Sequence, residues 1–473
     1  MHAKLGVPRG GAQPESADGR TRGAGDSSLA HNRYNAPMNY RVEGGKKLSG
    51  AVSTNISKNA AVALLAASLL NRGTTTLKKM PRIEEVKRLI EVLESIGVNV
   101  EWAENGDMMI IPGNIDLSHI NAGSAGKTRS IALFIAPLAH LLGSFELPAP
   151  SGCDLGKRSL GAHIDALEKL GITIEGNEAT HTYNVKSAIG KGERTTDIVM
   201  YEASDTGVEN VLMAAAKIPG ETTIKFASAN YMVQDLCVFL QACGVTVEGI
   251  GTSTLVVHGV KDINADITGY PSEDPIESMF FVSLAATTGS QLKIERCPID
   301  FLELELYTLG QMGLKYEIDE RFMAENGHTK LADIVIYPSE LHAPPEKIAA
   351  RPYPGINIDN LPFFVPVATQ AKGETLIHDW VYEGRAKYYM EMNKLGADVK
   401  LLDDHRALVK GPTKLHAADV EAPNALRPAT LLLIGMLAAK GESMLRNVYP
   451  INRGYADLAE RLKALGASVD AVE

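Results

Sequence analysis

The feature that most constrains this chain is a phrase that returns six times: LESIGVNVE around Gly97, LEKLGITIE around Gly171, LQACGVTVE around Gly244, LGQMGLKYE around Gly313, MNKLGADVK around Gly396 and LKALGASVD around Gly466. The intervals are 74, 73, 69, 83 and 70 residues. Each phrase reads as a helix stopped by a glycine, which enters the left-handed conformation without a Cβ penalty, followed at once by a β-rich strand. A second phrase, an apolar helix ending before a glycine and then a Thr- or Ser-bearing strand, precedes each one. Its glycines, Gly73, Gly143, Gly220, Gly289, Gly373 and Gly441, lead the first phrase by 24, 28, 24, 24, 23 and 25 residues. Two phrases in near-fixed register six times over define an internal repeat. The unit is a helix, strand, helix, strand module of about 70 residues. Short runs such as MMIIPG (108–113) and TLVVHG (254–259) close several copies. Mixed α/β units of that size form compact subdomains, whereas a solenoid stacks thinner layers. Grouped three and three, they give two similar domains with a cleft between them.

Composition narrows what such a cleft binds. The 473 residues carry 47 Lys and Arg against 57 Asp and Glu, a net charge of −10, so no general affinity for nucleic acid or anionic membrane is expected. An anionic small ligand then needs a local cluster of basic side chains. A content of 45% hydrophobic and 22% charged residues is ordinary for a globular protein and excludes wholesale disorder. The longest run without a charged side chain, residues 130–145, is broken by Pro137 and His140 and falls short of the about 20 residues of a membrane helix. Four cysteines at 153, 237, 243 and 297 form no CxxC pair, which argues against a disulfide framework or a zinc site and fits a reducing cytoplasm. Residues 1–37, rich in Gly, Ser, Ala, Arg and Asp, precede Met38, where patterned sequence begins, and read as a disordered extension or a mis-assigned start.

Several residues have the character of a reactive site. Cys153 in LPAPSGCDLGKRSL lies in a loop marked by Pro148, Pro150, Gly152 and Gly156, and the adjacent Lys157 and Arg158 would lower its thiol pKa. Cys237 and Cys243 sit in an apolar helix and read as packing residues. Lys58 and Asn59 open the helix NISKNAAVALLAASLL, whose free amide groups point toward any nearby anion. Arg129, Arg158, Arg385, Arg427 and Arg453, which a family resemblance singles out, come from both halves of the chain, and guanidinium groups are planar bidentate donors for anionic oxygens. Asp359 in GINIDNLPFF supplies a carboxylate, and Asp274 with Glu277 in EDPIES an acidic pair. Taken singly, Lys58 reads first as a solvated surface charge, each arginine as an exposed ion-pair partner, Asp359 as a turn residue, and the acidic pair as structural.

From Tyr40 to the C-terminus the sequence resembles the enolpyruvyl transferases. Residues 152–158 match that family's Gly-Cys-x-x-Gly-x-Arg loop and residues 58–61 its Lys-Asn-Ala-Ala phrase. The resemblance implies an α/β fold of two inside-out α/β barrel domains, built from six βαβαββ units with the helices in the middle. Residues 38–57 with 272–473 would form the catalytic domain, and 58–271 a second domain carrying the Cys153 loop. Within the family the sequence looks closer to the transferases of peptidoglycan synthesis than to the shikimate-pathway enzyme. The implied reaction moves the enolpyruvyl group of phosphoenolpyruvate onto a hydroxyl of UDP-N-acetylglucosamine and releases phosphate, with no metal or organic cofactor.

The same resemblance implies roles. Lys58, Asn59, Arg158, Arg385, Arg427 and Arg453 would hold phosphoenolpyruvate, with Lys58 also catalytic. Cys153 would protonate its methylene carbon and be the target of the epoxide fosfomycin, while Asp359 would take the hydroxyl proton. Arg129, Ser159, Leu160, Gly161, Ala162, Asp205, Thr206, Gly207, Asp359 and Val381 would line the acceptor. Three positions depart from the family pattern: Gly161 stands where an aspartate bonds uracil, Asp205 lies in the segment that touches the diphosphate, and Ala425 replaces an aspartate two residues before Arg427. A carboxylate at Asp205 repels a diphosphate unless it is rotated away or paired. Two rivals follow: a related transferase with another nucleotide or phosphorylated hydroxyl acceptor, and a non-catalytic binding protein on the same scaffold.

Overall fold

All six glycines of the first phrase adopt positive φ, between +85° and +97°, each at the junction of a helix and a strand. The computed structural model describes residues 38–149, 160–190 and 192–473. Its main α-helices are α1 (Lys58–Ala67), α2 (Glu84–Ser95), α3 (Ile135–Leu141), α4 (Gly161–Glu168), α5 (Asp205–Ala216), α6 (Tyr231–Ala242), α7 (Pro275–Thr288), α8 (Glu303–Gln311), α9 (Phe364–Gln370), α10 (Leu426–Ala438) and α11 (Leu458–Ala464). The helix of the fifth first phrase is wound as a 3₁₀-helix over Arg385–Leu395.

Each repeat contributes one sheet. In five of the six, the strand of the second phrase is central, parallel to an edge strand on one side and antiparallel on the other; residues 220–225, for example, pair parallel with 194–199 and antiparallel with 254–259. The sixth sheet, over 144–148, 172–177 and 182–187, has three strands among the described residues. The strands sort into two groups. Three sheets draw only on residues 75–269, and three only on 39–53 and 291–472. The chain passes between the groups at 54–57 and again at 270–274, and these passages are joined by an antiparallel bridge from Ile56 to Glu273 and a bond from Ser57 N to Ser272 O of 2.8 Å. The edge strands are exchanged across these passages: 267–269 completes the sheet of 75–77, and 49–53 that of 291–298. The N-terminal strand Asn39–Gly44 enters the last repeat between Gly441–Arg446 and Ser468–Val472.

Why the helices lie inside follows from their composition. All residues of α7 are buried, as are nearly all of α1 and α5, because a helix apolar on every side finds no place at a surface. Helices α1 and α3 pack on α5, and α9 and α10 on α7. The sheets cover these helices with one face only: in 373–378, Thr375 and Ile377 point inward while their neighbours do not. No helix among the described residues is long and apolar enough to cross a membrane.

Candidate functional site

The N-terminus of α1 is set by Ser57, whose Oγ accepts the Ala60 amide at 3.3 Å, so Lys58 and Asn59 occupy the first helical turn. Burial lowers the Lys58 pKa from its usual value; Glu85 and Asp359 counter this, while Arg427 and Arg453 add to it. Lys58 therefore lies in the field of charged groups from distant parts of the chain, Glu85, Asp359, Arg427 and Arg453. Asn59 Nδ2 donates to the Tyr231 hydroxyl at 3.3 Å.

Arg453, just past a short helical turn at Tyr449–Asn452, places Nη2 2.8 Å and Nε 3.2 Å from Glu85 Oε2. Glu85 lies in the first turn of α2 and is 3% exposed. Its other oxygen accepts the hydroxyls of Thr128 and, at 3.0 Å, Ser130. Burial alone would raise the Glu85 pKa, yet Lys58, Arg453 and Thr128 hold it below the usual carboxylate value. This pair joins residues of the two sheet groups.

Asp359 receives two arginines: Arg427 Nη2 lies 3.4 Å from Oδ2 and Arg385 Nη1 3.7 Å from Oδ1. Its loop is fixed by Glu305 on α8, which accepts the Asn357 amide and Asn360 Nδ2, both at 2.9 Å. Arg385 is 1% exposed; its Nε binds Asp379, its Nη2 donates to Ile358 O at 2.7 Å, and Tyr389 donates to the same Asp379 oxygen at 2.6 Å. Arg385 Nη1, Arg427 Nε and the Tyr455 hydroxyl are buried without a hydrogen-bond partner among the described residues. The acceptor oxygens Asp379 Oδ1 and Asn360 Oδ1 are open in the same cluster, and the open guanidinium donors are groups that an anionic ligand can engage. Ala425 stands at the N-cap of α10 and offers no cap, so the start of that helix and the nearby guanidinium lack the carboxylate that the family pattern places there.

On the other side, Ser204 caps α5 and Asp205 is its first residue. Asp205 accepts the Ser228 hydroxyl and, at 3.2 Å, Asn230 Nδ2. Among the described residues it is thus hydrogen-bonded by neutral donors. Burial raises its pKa, Ser228 and Asn230 oppose this, and Asp359 adds repulsion, which brings the two carboxylates within reach of each other's field. Thr206 is exposed, and its hydroxyl lies 3.1 Å from His163 Nε2. Asn210 Nδ2 donates to the other ring nitrogen of His163 at 3.0 Å, fixing a neutral ring whose pKa burial and Arg129 push down to about 4. Leu160, Gly161 and Ala162 form the start of α4 directly before His163, and Gly207 is buried against Ser204. Val381 is half-buried in the bend before Arg385.

Asp274 and Glu277 are built into the scaffold: Asp274 caps α7 through Ile276 N at 2.8 Å, and Glu277 accepts Asn55 N at 2.8 Å and pairs with Arg461 at 2.9 Å. Cys153, Arg158 and Ser159 lie outside the described residues. Cys237, Cys243 and Cys297 are buried, each thiol pushed up to about 12 by desolvation. Sequence reasoning missed Glu85, Asp379, Glu305, Tyr231, Tyr389 and Tyr455. The one signal available was their spacing from residues already singled out: Tyr389 lies one helical turn after Arg385, and Tyr455 two residues after Arg453.

Comparison with known proteins gives the family and the fold. Residues 42–462 match the family described as EPSP synthase (3-phosphoshikimate 1-carboxyvinyltransferase). A UDP-N-acetylglucosamine 1-carboxyvinyltransferase of Bradyrhizobium diazoefficiens is 32% identical over 439 residues, 92% of this chain and 99% of that protein. One from Treponema denticola is 32% identical over 435 residues, with the same coverage of both chains. Among solved structures, the enolpyruvyl transferase NikO from Streptomyces tendae superposes with a TM-score of 0.79 at 23% identity, over 92% of this chain and 99% of that one. An EPSP synthase from Acinetobacter baumannii gives 0.67 at 17% identity, over 92% and 100%. At those identities the two structures speak for the fold.

Proposed function

Because the chain belongs to the EPSP synthase (3-phosphoshikimate 1-carboxyvinyltransferase) family, we propose that it transfers the enolpyruvyl group of phosphoenolpyruvate to a hydroxyl of UDP-N-acetylglucosamine and releases inorganic phosphate, a step of peptidoglycan precursor synthesis carried out in the cytoplasm. The observation that carries the reading is the pairing of Arg385 and Arg427 with Asp359, with Lys58 in the field of Asp359, Arg427 and Arg453 and with buried donors still open at Arg385 and Arg427. A substrate with phosphate and carboxylate on three carbons fits such a set.

In this reading the acceptor hydroxyl adds to C2 of phosphoenolpyruvate while its proton passes to Asp359, which is 27% exposed and so open to an incoming group. Carbon C3 gains a proton from Cys153. Loss of phosphate from C2 and of a proton from C3 then restores the vinyl group. Lys58, Arg158 and Arg453 hold the phosphoenolpyruvate anion through the addition. The two sheet groups act as two domains, 38–57 with 272–473 and 58–271, and their closure excludes water that would compete as acceptor. Phosphate release from phosphoenolpyruvate, dependent on UDP-N-acetylglucosamine, is the test.

A second reading keeps the chemistry and changes the acceptor to another nucleotide or phosphorylated hydroxyl compound. Asp205, Gly161 and Ala425 favour it, since altered contacts are where specificity changes. Turnover confined to a different member of a nucleotide panel would select it. Absence of phosphate release with every acceptor would leave only a binding role.

A further inference from the structure

Helix α6 touches both passages of chain between the sheet groups, and it does so from one face. Asp235 accepts Ser272 N at 2.9 Å and Ser272 Oγ at 2.7 Å on the second passage. One turn earlier, Tyr231 reaches the first: its hydroxyl oxygen accepts Ser57 Oγ at 3.0 Å and Asn59 Nδ2 at 3.3 Å. Tyr231 is 1% exposed. Its ring meets Phe301 edge to face, with centroids 5.7 Å apart, and Phe301 in turn lies 4.9 Å from Tyr353. The ring therefore meets an aromatic residue of the other sheet group while its oxygen faces the N-terminus of α1. A phenol oxygen offers two acceptor sites, and here Ser57 and Asn59 take both.

We infer that Tyr231 is a positioning residue: its hydroxyl oxygen fixes the Asn59 carboxamide with Nδ2 turned toward the phenol and Oδ1 turned away from it, ready for substrate. Burial keeps the phenol protonated well beyond neutral pH, so the arrangement does not change across the working range. The inference rests on the reading that Lys58 and Asn59 hold phosphoenolpyruvate. Without the acceptor oxygen, the Asn59 amide rotates, and the first turn of α1 presents a disordered contact in place of a fixed one.

The test is Tyr231→Phe, which keeps the ring and its packing on Phe301 and removes only the oxygen. The expected result is a KM for phosphoenolpyruvate raised about tenfold through the freed Asn59 contact, with kcat within about twofold; the melting temperature falls as well, because the buried Ser57 hydroxyl loses the same acceptor. Asn59→Ala is expected to raise the same KM, and the double variant to be no worse than Asn59→Ala alone. A KM unchanged in Tyr231→Phe overturns the inference, and so does strict additivity in the double variant. A readout independent of turnover is the Asn59 side-chain amide resonance in asparagine-labelled protein, assigned by its loss in Asn59→Ala. Tyr231→Phe should sharpen and shift it as rotation is freed. If Asn59→Ala leaves the phosphoenolpyruvate KM unchanged, the substrate role of Asn59 fails; the resonance then decides, a shift in Tyr231→Phe upholding the link and an unmoved signal overturning it.

Discussion

Asp359 lies 3.4 and 3.7 Å from two guanidinium groups, and removing its carboxylate takes away the proton acceptor while leaving both cations in place. Asp359→Ala is therefore expected to lower kcat by about 10²–10⁴-fold with a smaller change in the KM for phosphoenolpyruvate. Steady-state kinetics that show near-normal turnover would end its assignment as base. Asp205 is argued differently, because its partners among the described residues, Ser228 and Asn230, are neutral. Asp205→Ser should tighten UDP-N-acetylglucosamine by roughly tenfold, the equivalent of about 1.4 kcal/mol of repulsion relieved. Calorimetric titration of both forms checks this, and binding of neither form, with turnover on another acceptor, selects the second reading. Asp359 and Asp205 were singled out through the resemblance of the surrounding sequence to the family pattern, since Asp359 taken singly reads as a turn residue. Glu85 was not, since a glutamate in the first turn of an amphipathic helix reads as an ordinary partner of the helix dipole. Asp379, in IHDW at a strand end, reads as a turn residue until the fold brings Arg385 and Tyr389 to it. What decides such cases is burial, and burial comes from contacts far apart in sequence.

At the scale of elements, the repeat was legible because its punctuation is local: a glycine at a helix end and a strand that follows at once. The exchange of edge strands was not, because 49–53 and 267–269 find their partners more than 190 residues away, and nothing local names them. The strand-closing glycines have a packing reason as well. A Cβ on Gly259 would meet the carbonyl oxygens of Ile218 at 2.0 Å and Ala215 at 2.3 Å, and one on Gly44 those of Met436 at 2.0 Å and Ala439 at 2.3 Å, the same place in two repeats. Gly259→Ala should destabilise the protein by about 1–3 kcal/mol, read from denaturant unfolding, whereas a change within a few tenths would show that the helix end gives way freely. The contact of α6 with the turn before residues 330–337 carries a pH dependence. Burial alone would lower the His328 pKa, but the 2.6 Å bond to Asp235, its charge and the Asn326 carbonyl raise it above the ordinary 6.5. A raised histidine contributes stability that is complete below its unfolded value and is lost as pH climbs through the folded one. Melting temperature should thus fall on the alkaline side of neutrality in the native protein and less so in His328→Gln; identical profiles would remove the pair from the account.

Across the whole molecule, the pair between Arg453 and Glu85 carries both halves of the problem, since it joins the two sheet groups and lies where the anion is expected. A buried pair is costly to break from one side because the partner is left charged and unpaired. Arg453→Ala leaves Glu85 with only Lys58 and two hydroxyls, and the loss expected is about 3–5 kcal/mol of stability together with a large rise in the KM for phosphoenolpyruvate. Those two effects have different origins and separate in a second variant. Adding Glu85→Gln removes the stranded carboxylate and keeps hydrogen bonding to Thr128 and Ser130, so stability should return. The missing guanidinium does not return, and binding of phosphoenolpyruvate should stay weak. Thermal melts and phosphoenolpyruvate titrations of the wild type, Arg453→Ala and the double variant measure both quantities on the same protein. Recovery of stability without recovery of binding assigns Arg453 to the substrate; recovery of both would make it a structural clamp between the two sheet groups and leave the anion to Lys58, Arg385 and Arg427.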